Sequence, residues 1–335
     1  MTEMVSIILV NYNTSDYTNS CIQSVLGADY ENIEIHVVDN DSTSAEQAKL
    51  QRFPSTDYHF LDSNLGFAKA CNYGAKESEG DYVFFLNNDT EIEDGAISRL
   101  VEELRDPSVG AVTPQVRFYH DRTTIDRDIG HFDNLAYGWH PRQNRTVDEV
   151  EDDDSVIETP WISGCALMTK TEVFESIGGF DTDFFMYCED LEFSIRLQKH
   201  EYELKAVTDS IVYHKYSASA KDDINIDRNA FQIKHQSKNR MKIIFKHYPA
   251  ALIIRNLHLI IASSLYWCWM LGQKEELIEV TRQLGRISKH SFSGIKQRSA
   301  SKTDHDFFEK MEVNTFCDYI NIAWNQSEAY NQNRF

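Results

Sequence analysis

Apolar runs, each closed by small polar or acidic residues, recur through the first third of the chain. Val5-Ser6-Ile7-Ile8-Leu9-Val10 ends on Asn11-Tyr12-Asn13, and Ile33 to Val38 ends on Asp39-Asn40-Asp41-Ser42. Tyr58 to Leu61 is a shorter run. Tyr82-Val83-Phe84-Phe85-Leu86 stops on Asn87-Asn88-Asp89, and Val109 to Val112 is closed by Pro114. Runs without polar alternation predict strands covered on both faces, as in the middle of a parallel sheet. Between them the spacing turns helical. Thr14, Ser15 and Asp16 offer caps ahead of Cys21, Ile22, Val25 and Leu26. Asn64-Leu65-Gly66-Phe67-Ala68 opens a second helix through about Ser78, and Ile97, Leu100, Val101 and Leu104 mark a third. Strands alternating with helices over short connections predict an α/β fold with a mostly parallel, doubly wound sheet.

The pattern then weakens. Val116 to Thr159 is dominated by Asp, Arg, His and Asn, and its most acidic run, Glu149 to Asp154, reads as a solvated loop or a flap over a site. Order resumes at Trp161-Ile162-Ser163-Gly164-Cys165-Ala166-Leu167-Met168, and Ile211-Val212-Tyr213 predicts a short strand before His214. Ala250 to Gly272 is apolar and aromatic, but Arg255, Asn256 and His258 interrupt it, so an interfacial or core helix is expected in place of a membrane span. Leu277, Val280, Leu284 and Ile287 form a last helical stripe, with Lys289, His290, Lys296 and Arg298 near its end.

The 335 residues hold 33 Lys and Arg against 53 Asp and Glu, a formal charge of −20 that argues against nucleic acid as a partner and leaves room for divalent cations. Hydrophobic residues make up 41% of the chain, enough for a substantial core. The six cysteines form no C-x-x-C pair, and the N-terminus reads as no signal peptide, so a reduced, cytoplasmic protein is expected.

Chemistry concentrates at the ends of the strands. In open α/β sheets ligands sit beyond the carboxyl ends of the strands, and Asp89 there is a candidate metal ligand bridging to phosphates. Asp39 can accept the imide N–H of uracil or thymine, or the equivalent edge of guanine, or serve as a turn residue. Gly66 permits close backbone approach at a helix start, where phosphate is favoured. Glu189-Asp190 sits among aromatics that raise a carboxylate toward a useful base, or caps a helix dipole. Glu192 and Arg196, four apart, read as a surface pair. His214 is a candidate nitrogen ligand, and with a carboxylate it suits Mn²⁺ as well as Mg²⁺. Lys215, Lys238 and Arg240 are candidates to neutralise a diphosphate.

In this order, Val10-Asn11-Tyr12-Asn13, Val38-Asp39-Asn40-Asp41-Ser42, Asn64 to Ala68 with Asn72, Leu86-Asn87-Asn88-Asp89, Ser163-Gly164, Gly178-Gly179-Phe180-Asp181 through Glu189-Asp190, and His214 resemble family 2 glycosyltransferases. The likeness is to the bacterial rhamnosyltransferase-like branch, with the GT-A fold, from Val5 to about Arg240. The resemblance implies an inverting enzyme that moves a sugar from a nucleoside-diphosphate donor (dTDP-rhamnose or a UDP-sugar) to a glycan or lipid-linked glycan in cell-surface polysaccharide synthesis. It implies that Asp39 reads the base, that Asn11 and Tyr12 line the nucleoside pocket, and that Asn64 and Gly66 lie near ribose and phosphates. Asp89 would fill the last position of the D-x-D motif with His214 as a further ligand of Mn²⁺ or Mg²⁺. Asp190 would be the general base and Glu189 would shape the site. Asn87 stands where that motif often opens with Asp, so Asn87 and Asn88 are expected at the donor and strict metal dependence is in question.

The implied division is residues 1–115 as the nucleotide-sugar half, 116–248 as the acceptor and catalytic half of the same domain, and 249–335 as a helical region that either docks at the inner face of the membrane or packs on the catalytic domain. Homo-oligomerisation is left open. A sugar nucleotidyltransferase would want a Gly-rich basic loop after the first strand, which Asn11-Tyr12-Asn13-Thr14 lacks. A non-catalytic nucleotide- or glycan-binding member of the fold is the alternative from a different class.

Overall fold

The computed structural model describes residues 3–150, 154–215 and 226–271, together with 278, 281 and 282. The last helical stripe and its basic residues, and part of the acidic run, lie outside these residues.

Strands β1 (Val5–Asn11), β2 (Ile33–Asp39), β3 (Thr56–Phe60) and β4 (Tyr82–Leu86) are parallel and adjacent in the order β4-β1-β2-β3. Their register sets Asn11 beside Asp39 and Leu9 beside Leu86, so the polar residues that end these runs line one edge of the sheet. Helices α1 (Ser15–Gly27), α2 (Ser44–Gln47), α3 (Phe67–Glu77) and α4 (Ala96–Leu104) make the connections between and after them. Successive side chains of a strand point to opposite faces. Phe84 and Leu86 therefore pack with Ile7, Ile22, Val37 and Leu100, while Val83 and Phe85 pack with Ile8, Ala68, Phe174 and Phe193. Burying side chains of this size contributes about 2 kcal/mol each. Both faces are covered, as the unbroken apolar runs require.

Beyond β4 the sheet becomes mixed. After the short β5 (Thr90–Ile92) comes β6 (Val109–Phe118), which runs straight through Pro114 instead of ending there. Proline has no N–H for a ladder, and the neighbours leave room for that gap. The pairing of β6 with the antiparallel strand on one side is recorded only at Ala111 and Val112, and its parallel partner carries a register shift just after pairing with Pro114. β7 (Asp121–Arg127) folds back on β6, and a two-stranded ribbon follows, β8 (His131–Phe132) with β9 (Gly138–Trp139). β10 (Val156–Glu158), β11 (Ala166–Lys170), α5 (Thr171–Ile177), α6 (Glu189–Lys199) and β12 (Glu203–His214) follow in the chain. β11 is antiparallel between β4 and β6, and β12 pairs with β6 in parallel and with β5 and β10 antiparallel. The result is a mixed α/β sheet, mostly parallel, with flanking helices.

The polar stretch after Val116 contributes β7 and buries Asp126, Asp128 and Asp133, while Glu149 and Asp154 of the acidic run are exposed. Charged residues can go inside because they are partnered, Asp126 with Arg127 at 2.9 Å and Asp128 with Arg142 at 3.5 Å. One expectation changes here: Glu192 and Arg196 are not a surface pair. The Glu192 side chain is fully buried 2.7 Å from Arg196, whose guanidinium also donates to the carbonyls of Ile177 and Gly179.

The chain forms two compact units, 1–131 with 140–225, and 132–139 with 226–335. α7 (Ile226–His247) belongs to the second unit with α8 (Ala250–Leu271). Within it Arg240 is buried, donates to the Leu135 carbonyl and the Ser263 hydroxyl, and lies 3.3 Å from the centre of the Tyr137 ring. Arg240 is thus a packing cation. Among the described residues no helix is long and apolar enough to cross a membrane.

Candidate active site

At the ends of β1 and β2, Asn11 and Asp39 are joined directly. Asn11 donates from Nδ2 to Asp39 Oδ2 at 2.6 Å, and its Oδ1 accepts from the Thr18 hydroxyl at 2.8 Å. Asp39 Oδ1 accepts the Ser42 backbone N–H at 3.0 Å and the Gln47 side-chain N–H at 2.8 Å. Tyr12 is half exposed beside them. Asn64 and Asn40 wrap the next turn: Asn64 Oδ1 accepts from Gly66 N–H at 2.9 Å and from Asn40 Nδ2 at 3.0 Å, and Asn40 Oδ1 accepts from Leu65 N–H at 2.8 Å. Gly66 has φ of +83°, and the close approach it permits is to Phe185, whose carbonyl also accepts the Phe67 N–H at 2.7 Å. Gly66 therefore locks the 178–188 segment to the start of α3.

That segment leads into α6 through Tyr187 and Cys188, both left-handed with φ of 69° and 67°. Such backbone is costly for non-glycine residues and persists where the surroundings over-determine it. Asn72 helps to do so, donating to the Phe180 carbonyl at 2.7 Å and accepting its N–H at 2.9 Å. Glu189 and Asp190 then open the helix. Asp190 Oδ2 accepts the Gly164 N–H and Oδ1 its neighbour Leu191 N–H, each at 2.8 Å. Burial raises the Asp190 carboxyl above its usual range, against the pull of those N–H donors. Glu189 is buried more deeply. Burial, with the Asp190 charge beside it, pushes Glu189 up to about 8, and among the described residues its Oε2 has no hydrogen-bond partner.

The last group is assembled by pairing β5 with β12, which sets His214 opposite Thr90 and so next to Asp89. His214 Nε2 lies 3.2 Å from Asp89 Oδ1, and Nδ1 lies 2.9 Å from Asp126 Oδ2. Burial opposes a charge on His214, but the Cys165 sulfur and the carboxylates of Asp89 and Asp126 outweigh it and hold the imidazole well above its usual range. Asp89 sits below its ordinary value: burial would raise it, and His214 chiefly lowers it. Arg127 ties this group to the Asp190 side, donating to Asp126 at 2.9 Å and to the Ser163 hydroxyl at 3.1 Å, one residue before Gly164.

Asp89 and His214 fit a divalent cation. Neighbouring ligands on one ion, with bonds of about 2.1 Å, lie about 3 Å apart, near the 3.2 Å seen here. Among the described residues no group of three or more His, Cys, Asp or Glu side chains is arranged to hold an ion alone. A cation here would complete its shell with water or with oxygens of a bound molecule.

Two candidate residues face elsewhere. Lys215 is bonded to Glu91 and the Ser20 hydroxyl, each at 2.6 Å. Asn88 donates both amide hydrogens inward, to the Thr14 and Thr18 hydroxyls at 2.8 Å. Asn87 is half-buried at the strand end, its backbone N–H on the Cys165 carbonyl. No motif in the sequence singles out Asp126, Arg127 or Gln47. Only the isolated Ile125 and Ile129 hinted that the first two lie in a buried strand.

This sheet, with a carboxylate after β4, a histidine closing β12 and an acidic pair opening α6, defines the GT-A class of nucleotide-sugar folds. The chain belongs to glycosyl transferase family 2, whose sequence pattern matches residues 6–178. A Mycobacterium tuberculosis N-acetylglucosaminyl-diphospho-decaprenol L-rhamnosyltransferase is 25% identical over 244 residues, 66% of this chain and 80% of that protein. A Staphylococcus epidermidis poly-beta-1,6-N-acetyl-D-glucosamine synthase is 29% identical over 213 residues, 61% of this chain. The match spans about half the length of that synthase, 48%. Among solved structures, GalNAc-T7 with UDP, GalNAc and Mn²⁺ has a TM-score of 0.58 at 16% identity, covering 75% of this chain and 49% of that one. The Pyrobaculum calidifontis mannosyltransferase PcManGT with GDP-Man and Mn²⁺ has a TM-score of 0.55 at 16% identity, covering 92% and 84%. At these identities the structures speak for the fold alone.

Proposed function

We propose that this protein is an inverting glycosyltransferase that moves a sugar from a nucleoside-diphosphate donor, dTDP-rhamnose or a UDP-sugar, to a glycan or lipid-linked glycan in polysaccharide synthesis. The observation that carries the reading is Asp190: two backbone N–H groups hold it rigidly at the start of α6, and burial raises its carboxyl above the usual range, in the direction a general base needs. Asp190 takes the proton of the acceptor hydroxyl as that oxygen displaces the diphosphate at the anomeric carbon, inverting it. Glu189, neutral beside it, keeps the pair from carrying two charges. Asp39, with Asn11, receives the base, Tyr12 covers the nucleoside, and Asn64 and Asn87 line the path to the diphosphate. A divalent cation, Mn²⁺ or Mg²⁺, held by Asp89 and His214 would stabilise the charge of the leaving diphosphate.

A panel of nucleotide sugars with Mn²⁺ or Mg²⁺, followed by nucleoside diphosphate release, identifies the donor. Asp190→Asn is expected to abolish transfer and leave nucleotide binding nearly intact. Unchanged turnover in that variant removes Asp190 as the base, and binding without any release by the wild type favours a non-catalytic binding protein. A peripheral membrane position is supported by α8, which exposes Ile254, Ile261 and Leu265. Absence of flotation with anionic liposomes would end that part of the reading.

A further inference from the structure

Asp126 is fully buried near the end of β7. Its Oδ2 receives two donors at 2.9 Å, His214 Nδ1 and Arg127 Nε. Its Oδ1 receives Arg127 Nη2 at 3.4 Å and Gln143 Nε2 at 3.3 Å. A buried carboxylate with this many donors is held in one orientation, and Arg127 is a permanent counter-charge.

The consequence falls on the histidine. A neutral imidazole carries one N–H and one lone pair, and the partner of one nitrogen decides which is which. With Nδ1–H donated to Asp126, Nε2 is left facing Asp89 Oδ1 at 3.2 Å; it carries a proton to that carboxylate in the cation-free site and is the nitrogen that gives up its proton and offers a lone pair when a cation enters. Carboxylates behind metal-bound histidines act in this way, setting the ring and raising its basicity.

We propose that Asp126 is the positioning residue of the cation site, holding His214 through Nδ1 so that Nε2 and Asp89 present adjacent donors to one divalent ion. This rests on reading Asp89 and His214 as the ligands. Arg127 extends the arrangement: through the Ser163 hydroxyl at 3.1 Å it reaches the turn whose Gly164 N–H holds Asp190. One buried carboxylate therefore braces the cation side while its counter-ion braces the base side.

Manganese titrations read by electron paramagnetic resonance test this without reference to turnover. They use the full chain, with UDP and dTDP in parallel and without nucleotide, in the wild type, Asp126→Asn, His214→Ala and the double variant. Asp126→Asn is expected to weaken Mn²⁺ binding about 10- to 100-fold and to leave metal-free nucleotide affinity unchanged. His214→Ala weakens it at least as much, and the double variant weakens it no further, because Asp126 acts through His214. If Asp126→Asn does not fold by circular dichroism, Asp126→Glu takes its place, and it too must weaken Mn²⁺ binding only while His214 is present. Wild-type Mn²⁺ affinity in the Asp126 variant, with a clear loss in His214→Ala, overturns the role of Asp126 and leaves the ligands standing. Wild-type affinity in His214→Ala, or no Mn²⁺ binding by the wild type, removes the ligand assignment and the proposal with it.

Discussion

Gln47 donates a side-chain N–H to Asp39 Oδ1 at 2.8 Å. An amide N–H is the same kind of donor as the imide N–H of uracil or thymine, and Asp39 is the carboxylate proposed to receive that imide. Gln47 occupies part of the position that the base would take. Gln47→Leu should therefore tighten UDP or dTDP binding by about two- to tenfold, the net value of one hydrogen bond, while Asp39→Asn should weaken it. Calorimetric titration decides. Weaker binding in Gln47→Leu would mean that the amide contacts the nucleotide itself.

Glu189 makes the fold sensitive to pH in a defined direction. A carboxyl raised from 4.5 to about 8 stabilises the folded state while protonated, fully below pH 4.5, and this contribution is lost as pH rises through about 8. Glu189→Gln cannot ionise. Its melting temperature should match the wild type near pH 5 and exceed it increasingly up to about pH 8, by about 2–4 °C per kcal/mol recovered. Parallel thermal scans at pH 5 and pH 9 with a constant gap would rule this out.

Gly66→Ala should be among the most damaging single-methyl changes. The φ of +83° disfavours alanine, and its Cβ would overlap the Phe185 carbonyl oxygen. A loss of about 2 kcal/mol or more is expected in urea unfolding. The displaced strand of chain leads to Glu189 and Asp190, so transfer should fall even where the variant stays folded.

Removing Glu192 should destabilise far more than an exposed pair four apart on a helix would. Its buried carboxylate lies 2.7 Å from Arg196, which also holds the carbonyls of Ile177 and Gly179. Glu192→Ala leaves that cation without its counter-charge, at about 3–5 kcal/mol. A change below 1 kcal/mol in chemical denaturation, about what a surface pair contributes, would show that solvent supplies the lost partner.

The apolar runs from Val5 to Val112 were legible because a strand covered on both faces must be apolar throughout, and that signal is local. The polar residues ending those runs were legible for the same reason. Asp126 was not. Its burial depends on Arg127 beside it and on His214, 88 positions away in the sequence, and no periodicity marks such a partnership. Pro114 misled in the opposite sense, because a proline ends a strand only where the neighbour on its N–H side needs that donor.

By itself the sequence determined the alternation of strands and helices, the polar edge at Asn11, Asp39 and Asp89, and the acidic pair at Glu189 and Asp190. Each follows from composition within a few residues. The tertiary structure alone decided that β5 pairs with β12 and so brings His214 to Asp89. It alone decided that Arg127 and Ser163 link that pair to the turn holding Asp190, and that Lys215 and Arg240 are spent on other partners. Long-range pairing is set by the packing of the whole sheet, and a side chain's charge says nothing of which neighbour that packing will supply.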